Sequence, residues 1–251
     1  MKTIKLLAIA LLLITGTFNS NAQTKGTKPT IIFVHGIWAD GSCWAEQITA
    51  LQAKGYDVVS VQNPLTSLAD DVAATKRAID QAKGNVILVG HSWGGFVITQ
   101  AGNDPKVTGL VYVAAFAPDE DETIPSLSKN GGETELAKYF APQGSFLALT
   151  NAGIKTVFAQ DLPAKQQNLV YATQIAANQS LFGEKGGVPA WKTKANYFIV
   201  AKNDRAISPD LERFEAKRMN AKTVEVASSH VVMLSQPKEV LAIIEQAAAS
   251  K

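Results

Sequence analysis

The sequence predicts an α/β fold: a mostly parallel sheet flanked by helices and carrying a small helical cap. Three observations predict it. Short apolar, β-branched runs recur along the chain. Helix-patterned stretches separate them. The alternation breaks once, over about residues 118–194.

The apolar runs lie at 30–34, 58–61, 86–89, 110–114, 197–200 and 223–226. Unbroken apolar runs of this length suit strands buried on both faces. Between them, 42–54 sets Trp44, Ile48 and Leu51 on one helical face, with Gly55 placed to end it. Stretch 68–83 carries Val72 and Ile79 with charges opposite, and Ser67 with Asp70 predicts a capping box. Stretches 209–219 and 237–249 both open on proline, which is preorganised for a helix start. Within the break, amphipathic pieces at 133–139, 145–152 and 164–177 are separated by glycine and proline, and predict helices. An insertion there would cover the C-terminal ends of the strands, where open α/β sheets bind ligands.

Length and composition fit one globular domain. The chain has 251 residues, 46% of them hydrophobic and 18% charged. Lys2 and Lys5 precede an apolar run at 6–14, and Ser20-Asn21-Ala22 offers a small-x-small cleavage site. Residues 1–22 are therefore expected to be a signal peptide cut before Gln23, leaving an exported, periplasmic or secreted domain of residues 23–251. The apolar run is shorter than a membrane span, so no stable membrane insertion is expected after cleavage. The leader removes two lysines and no acids, leaving 22 basic and 22 acidic residues. That balance points to neither nucleic acid nor an anionic membrane as partner. Cys43 is the only cysteine and forms no internal disulfide. No histidine pair has metal-ligand spacing and no Cys-x-x-Cys exists, so no protein metal site is readable, and no phosphate or dinucleotide fingerprint occurs.

Chemistry concentrates in Gly90-His91-Ser92-Trp93-Gly94, which matches G-x-S-x-G directly between a predicted strand and a helix-compatible run. A sharp turn there, flanked by small residues, would raise the Ser92 hydroxyl above the sheet. A serine hydroxyl needs an adjacent base to be nucleophilic at neutral pH. His91 sits inside the motif, and its side chain should point away from that of Ser92. His35 follows the first strand and is expected to brace its loop. His230 follows the last strand and is the expected base. A carboxylate must then hold the imidazole. Asp204, after the strand at 197–200, is favoured over Asp119, which also follows a strand. The order Ser92, Asp204, His230 then follows along the chain. The backbone N–H groups of Ile37 and Trp93 are the expected oxyanion donors. Trp38, Phe116, Phe182 and Trp191 are the expected substrate-binding side chains, Trp38 being equally well placed for core. Phe140, Phe146 and Phe158 are further aromatic residues of the insertion.

With His35-Gly36, the elbow at 90–95, Asp204-Arg205-Ala206-Ile207 and Ser229-His230 in this order, the chain resembles the α/β-hydrolase superfamily. Its segment 35–44 is similar to small bacterial esterase-like members related to plant methylesterases and hydroxynitrile lyases. The resemblance implies an α/β-hydrolase fold, no cofactor and a largely apolar pocket. The lyases of that group carry a lysine directly after the catalytic histidine, whereas Val231 stands here, which argues against lyase activity. Dehalogenases and epoxide hydrolases of the fold use an aspartate nucleophile, so Ser92 argues against both. The expected activity is hydrolysis of short, uncharged, fairly apolar carboxylic esters. A thioesterase, C–C hydrolase, amidase or perhydrolase on the same three residues, or a non-catalytic binding protein of this fold, are the alternatives. The expected partner is a small-molecule ester, and nothing in the sequence sets an oligomeric state.

Overall fold

A computed structural model of the chain describes residues 28–250, so the expected leader at 1–22 lies outside the described residues. The main sheet has six strands: β1 (Thr30–Val34), β2 (Val58–Val61), β3 (Val86–His91), β4 (Val107–Val113), β8 (Ala195–Ala201) and β9 (Lys222–Val226). Their spatial order is β2-β1-β3-β4-β8-β9, and every neighbouring pair is parallel. The chain runs outward from β1 to β2 and then returns to place β3 on the other side of β1. That reversal opens a crevice at the C-terminal ends of β1 and β3, the usual binding position in open α/β sheets.

Burial follows position in the sheet. Every residue of β1 and β3 is buried, as unbroken apolar runs require. The runs expected at 58–61 and 223–226 differ. They form the two edge strands, and Val59 and Val224 are exposed. An edge strand has one neighbour instead of two, and Lys222 and Glu225 give the β9 edge charges that discourage further pairing.

Helices α1 (Ala45–Ala53), α2 (Leu68–Gln81) and α3 (Gly94–Ala101) follow the first three strands and pack on the sheet. The expected helix at 42–54 begins as a 3₁₀ turn, Gly41–Trp44, whose first N–H groups are capped by Asp40. The capping box at α2 is half formed. Ser67 accepts from the Asp70 N–H at 3.1 Å, but the Asp70 carboxylate bonds the Ser67 hydroxyl instead of reaching back to the backbone. No described helix is long and apolar enough to cross a membrane.

The insertion after β4 holds helices α4 (Ile124–Ser128), α5 (Asn151–Gly153) and α6 (Ala164–Thr173). It also holds a three-stranded antiparallel sheet of β5 (Phe140–Gln143), β6 (Phe146–Leu149) and β7 (Ala177–Asn178). The helix expected at 145–152 is thus largely a strand, and the one expected at 164–177 ends four residues early. The reason is local. Gly144-Ser145 forms a two-residue hairpin loop with Gly144 at φ 64°, a conformation glycine adopts without strain. Beyond the insertion, α7 (Pro209–Arg218), α8 (Val232–Ser235) and α9 (Pro237–Ala249) complete the domain.

Candidate active site

Ser92 lies between β3 and α3 with φ 53°. A non-glycine residue in the left-handed region is strained and persists only where its surroundings hold it. Here they do. The Ser92 N–H donates to the Val113 carbonyl, and its carbonyl accepts from the Gly95 and Phe116 N–H groups. The turn sits so close to its neighbours that a Cβ at Gly95 would lie 1.9 Å from the Phe116 carbonyl oxygen. A Cβ at Gly36 would lie 2.6 Å from the Ser92 Cβ, so glycine alone lets the loop after β1 approach the serine.

Asp204 and His230 arrive on the loops after β8 and β9. His230 Nδ1 bonds Asp204 Oδ2 at 2.6 Å, with both side chains buried. Asp204 Oδ1 accepts from the N–H groups of Ala206 (2.7 Å) and Ile207 (3.0 Å), so both carboxylate oxygens are engaged and the group is fixed in direction. Asp119 lies elsewhere. It pairs with Lys192 at the base of the cap. Ser92 and His230 face one cavity of about 760 Å³. No hydrogen bond joins them among the described residues, a looseness common before substrate draws such groups together.

The remaining histidines are structural. His35 Nε2 accepts from the Asn63 N–H, and its Nδ1 faces the Gly36 carbonyl, each at 2.9 Å. These partners fix the neutral Nδ1–H tautomer, and burial lowers the pKa of His35 further. His91 points away from the cavity, yet it touches His230. Its Nε2 donates to the His230 carbonyl at 3.1 Å, and the two rings lie 4.6 Å apart. Burial pushes the pKa of His91 well below the ordinary value, so it stays neutral.

Ile37 and Trp93 both line the cavity, and neither backbone N–H donates to another described residue. Trp38, Phe116 and Phe182 also line it. Trp38 is wall and core together. Its ring packs against Phe140, Phe158 and Phe182, and its Nε1 donates to the Leu147 carbonyl of β6. Trp191 does not line the cavity. It is buried at the base of the cap, where its Nε1 donates to the Pro118 carbonyl at 2.9 Å and Arg218 stacks on its ring. Its indole thus ties the end of the insertion to its start. Phe140 joins the lining, whereas Phe146 and Phe158 do not.

Three buried acids behind the site were not foreseen. Asp71 on α2 accepts from Trp93 Nε1 at 2.8 Å and from the Leu65 N–H at 2.9 Å, and burial raises its pKa to about 6. Glu212 accepts from the Ala201 N–H at the end of β8. Burial and the Asp204 charge push its pKa well above the carboxylate range. Glu215 accepts from the Ala117 N–H and is pushed up to about 8 by burial. Their signal was present in the sequence. Asp71 falls on the stripe of Leu68, Val72, Thr75 and Ile79, and the glutamates fall on that of Leu211, Ala216 and Met219.

A hydroxyl on a strained elbow, a buried imidazole–carboxylate pair and two free N–H groups around one apolar cavity suit acyl transfer. The chain is 29% identical over 156 residues to a carbendazim hydrolyzing esterase of Nocardioides sp. (strain SG-4G). That match takes in 55% of this chain and spans 62% of the relative's length, less than two thirds. In structure it is similar to a pyrethroid hydrolase from Sphingobium faniae JZ-2, with a TM-score of 0.77 and 22% identity over 89% of this chain and 98% of that one. It is also similar to polyneuridine aldehyde esterase, with a TM-score of 0.76 and 18% identity over 88% and 99% of the two chains. At these identities the structural matches speak for the fold alone. The family model described as the alpha/beta hydrolase family matches residues 31–243, and the chain belongs to that family.

Proposed function

We propose that this protein is a serine hydrolase that cleaves uncharged, largely apolar carboxylic esters through an acyl-enzyme. The observation that carries the reading is the 2.6 Å bond between buried His230 and Asp204, facing the cavity that Ser92 enters from its strained turn. In this reading Ser92 Oγ attacks the ester carbonyl while His230 Nε2 takes its proton. Asp204 holds the Nδ1–H and stabilises the imidazolium that forms. The Ile37 and Trp93 N–H groups receive the oxyanion. The alcohol leaves with the proton from His230, and water resolves the acyl-enzyme by the same route.

The cavity supports a larger substrate than the short esters expected from the sequence. At about 760 Å³ it is in the range that holds drug-sized ligands, about 300–1,000 Å³, and exceeds what a short ester fills. Trp38, Phe140 and Phe182 pack together in its lining, and Ser128, Lys129, Glu133 and Thr134 add polar groups to it. This supports bulky esters with an aromatic or aliphatic body. The name of the carbendazim hydrolyzing esterase supports hydrolysis as the class of reaction.

A fluorophosphonate probe and a panel of nitrophenyl esters of rising acyl bulk, with thioester and amide analogues, test the proposal. Labelling should fall on Ser92, and bulky apolar esters should turn over best. Ser92→Ala should abolish labelling and lower kcat by about 10³-fold or more. Ester cleavage that survives Ser92→Ala would overturn the assignment. Export is proposed from the leader pattern at 1–22, and an N-terminus at Gln23 in the exported protein would support it.

A further inference from the structure

The segment of the cap from Thr156 to Asp161 meets the loops that carry the acid and the base. It begins inside a π-helical turn, Ile154–Phe158, a rare conformation that recurs at functional sites. Four contacts leave it within six residues. Thr156 offers its carbonyl to Arg205 Nη1 at 3.3 Å. Phe158 lays its ring 5.0 Å from the ring of His230. Gln160 donates from Nε2 to the Asn203 carbonyl at 2.7 Å. Asp161 accepts from the Ser229 N–H through Oδ2 at 2.8 Å. The partners are the two residues flanking Asp204, the residue before His230, and His230 itself.

This placement has a mechanical consequence. Asp204 fixes the His230 ring through Nδ1, and the backbone of the loop fixes where that ring starts from. One side of that backbone is held from the elbow, where His91 bonds the His230 carbonyl. The other side is held from the cap. The Ser229 N–H is buried and its acceptor there is the Asp161 carboxylate, a charge-assisted bond of the stronger kind. Gln160 does the same for the backbone directly before Asp204. Asp161 reaches neither the cavity nor the ring nitrogens, so it acts through His230.

Resting on the serine-hydrolase reading above, we propose that Asp161 is a positioning residue for the base, and that the cap segment 156–161 sets acid and base in register with Ser92. The cap therefore serves the chemistry as well as the pocket.

Kinetics of a bulky nitrophenyl ester, fluorophosphonate labelling rates and thermal melts of four variants test this. Asp161→Ala should lower kcat and the labelling rate together by about 10-fold, as a small misplacement of a reacting group does. KM should stay within about twofold of wild type, because the substrate wall is untouched. Asp161→Asn should recover most of the rate, since its amide oxygen still accepts from the Ser229 N–H. Gln160→Ala should also lower kcat, by less. Gln174→Ala is the control. Its side chain bonds Leu149 within the cap, so it loosens the cap without touching either loop and should leave kcat unchanged. Wild-type kcat in Asp161→Ala would overturn the proposal, as would an Asp161→Asn as slow as the alanine variant. So would a Gln174→Ala with the same loss. Should Asp161→Ala fail to fold, Gln160→Ala decides: unchanged kcat in that variant overturns the proposal. A wild-type protein that neither labels nor cleaves esters would instead overturn the reading of the site itself.

Discussion

At the scale of single residues, the site depends on atoms that are missing. Gly95 and Gly36 let backbone approach where any side chain would collide, at 1.9 Å from the Phe116 carbonyl oxygen and 2.6 Å from the Ser92 Cβ. Backbone cannot yield as a flexible side-chain tip does. Gly95→Ala should therefore cost about 3 kcal/mol or more, the upper range of overpacking, seen as a lower urea midpoint or a loss of soluble protein. The motif glycines were legible in the sequence because a strand–turn–helix allows few residues there. The bond from His91 to the His230 carbonyl was not legible, since 139 positions separate the two residues and only folding makes them neighbours.

At the scale of elements, buried carboxyls join the helices to the site. Asp71 lies on the inner face of α2 and satisfies two buried donors, Trp93 Nε1 beside the elbow and the Leu65 N–H. Asp71→Ala leaves both without a partner. At about 1–3 kcal/mol for each orphaned group, the variant should lose about 2–6 kcal/mol of stability, measurable by chemical denaturation. The sheet order positions the rest of the site. Loops after β1, β3, β8 and β9 all open at one edge of the sheet, so four stretches distant in sequence supply Ile37, Ser92, Asp204 and His230. The alternation of strands and helices implied that edge in advance. The hairpin β5–β6 went unread because a short apolar stretch satisfies helical and strand patterns equally, and Gly144-Ser145 decides between them.

At the scale of the whole molecule, the acids that fill the space behind the site shape its response to pH. Glu215 has its pKa raised to about 8 by burial, above the ordinary 4.5 of the unfolded chain. Between those values the folded protein binds more protons than the unfolded one, so this group's contribution to stability falls as pH rises through the window. Glu212 and Asp71 act in the same direction, Asp71 between 3.8 and about 6. Melting temperature should accordingly rise as pH is lowered from about 8 toward 6.5, above the range in which the buried neutral His35 and His91 act in the opposite sense. Glu215→Gln should flatten that rise, because a glutamine carries no proton to lose. A Glu215→Gln melting curve with an unchanged pH slope would contradict this.

The sequence by itself determined what local physics dictates: the strands, the helices that open on proline, the elbow around Ser92, and the chain order of serine, aspartate and histidine. Those features rest on neighbours within a few positions, and periodicity and backbone sterics report them directly. Tertiary structure alone decided the rest. It chose which strands became edges, turned Trp191 from the cavity into the base of the cap, placed three acids behind the site and set Asp161 against the loop of His230. Each of these depends on residues far apart in the chain meeting at close range, where the burial of one group is set by the packing of all its neighbours.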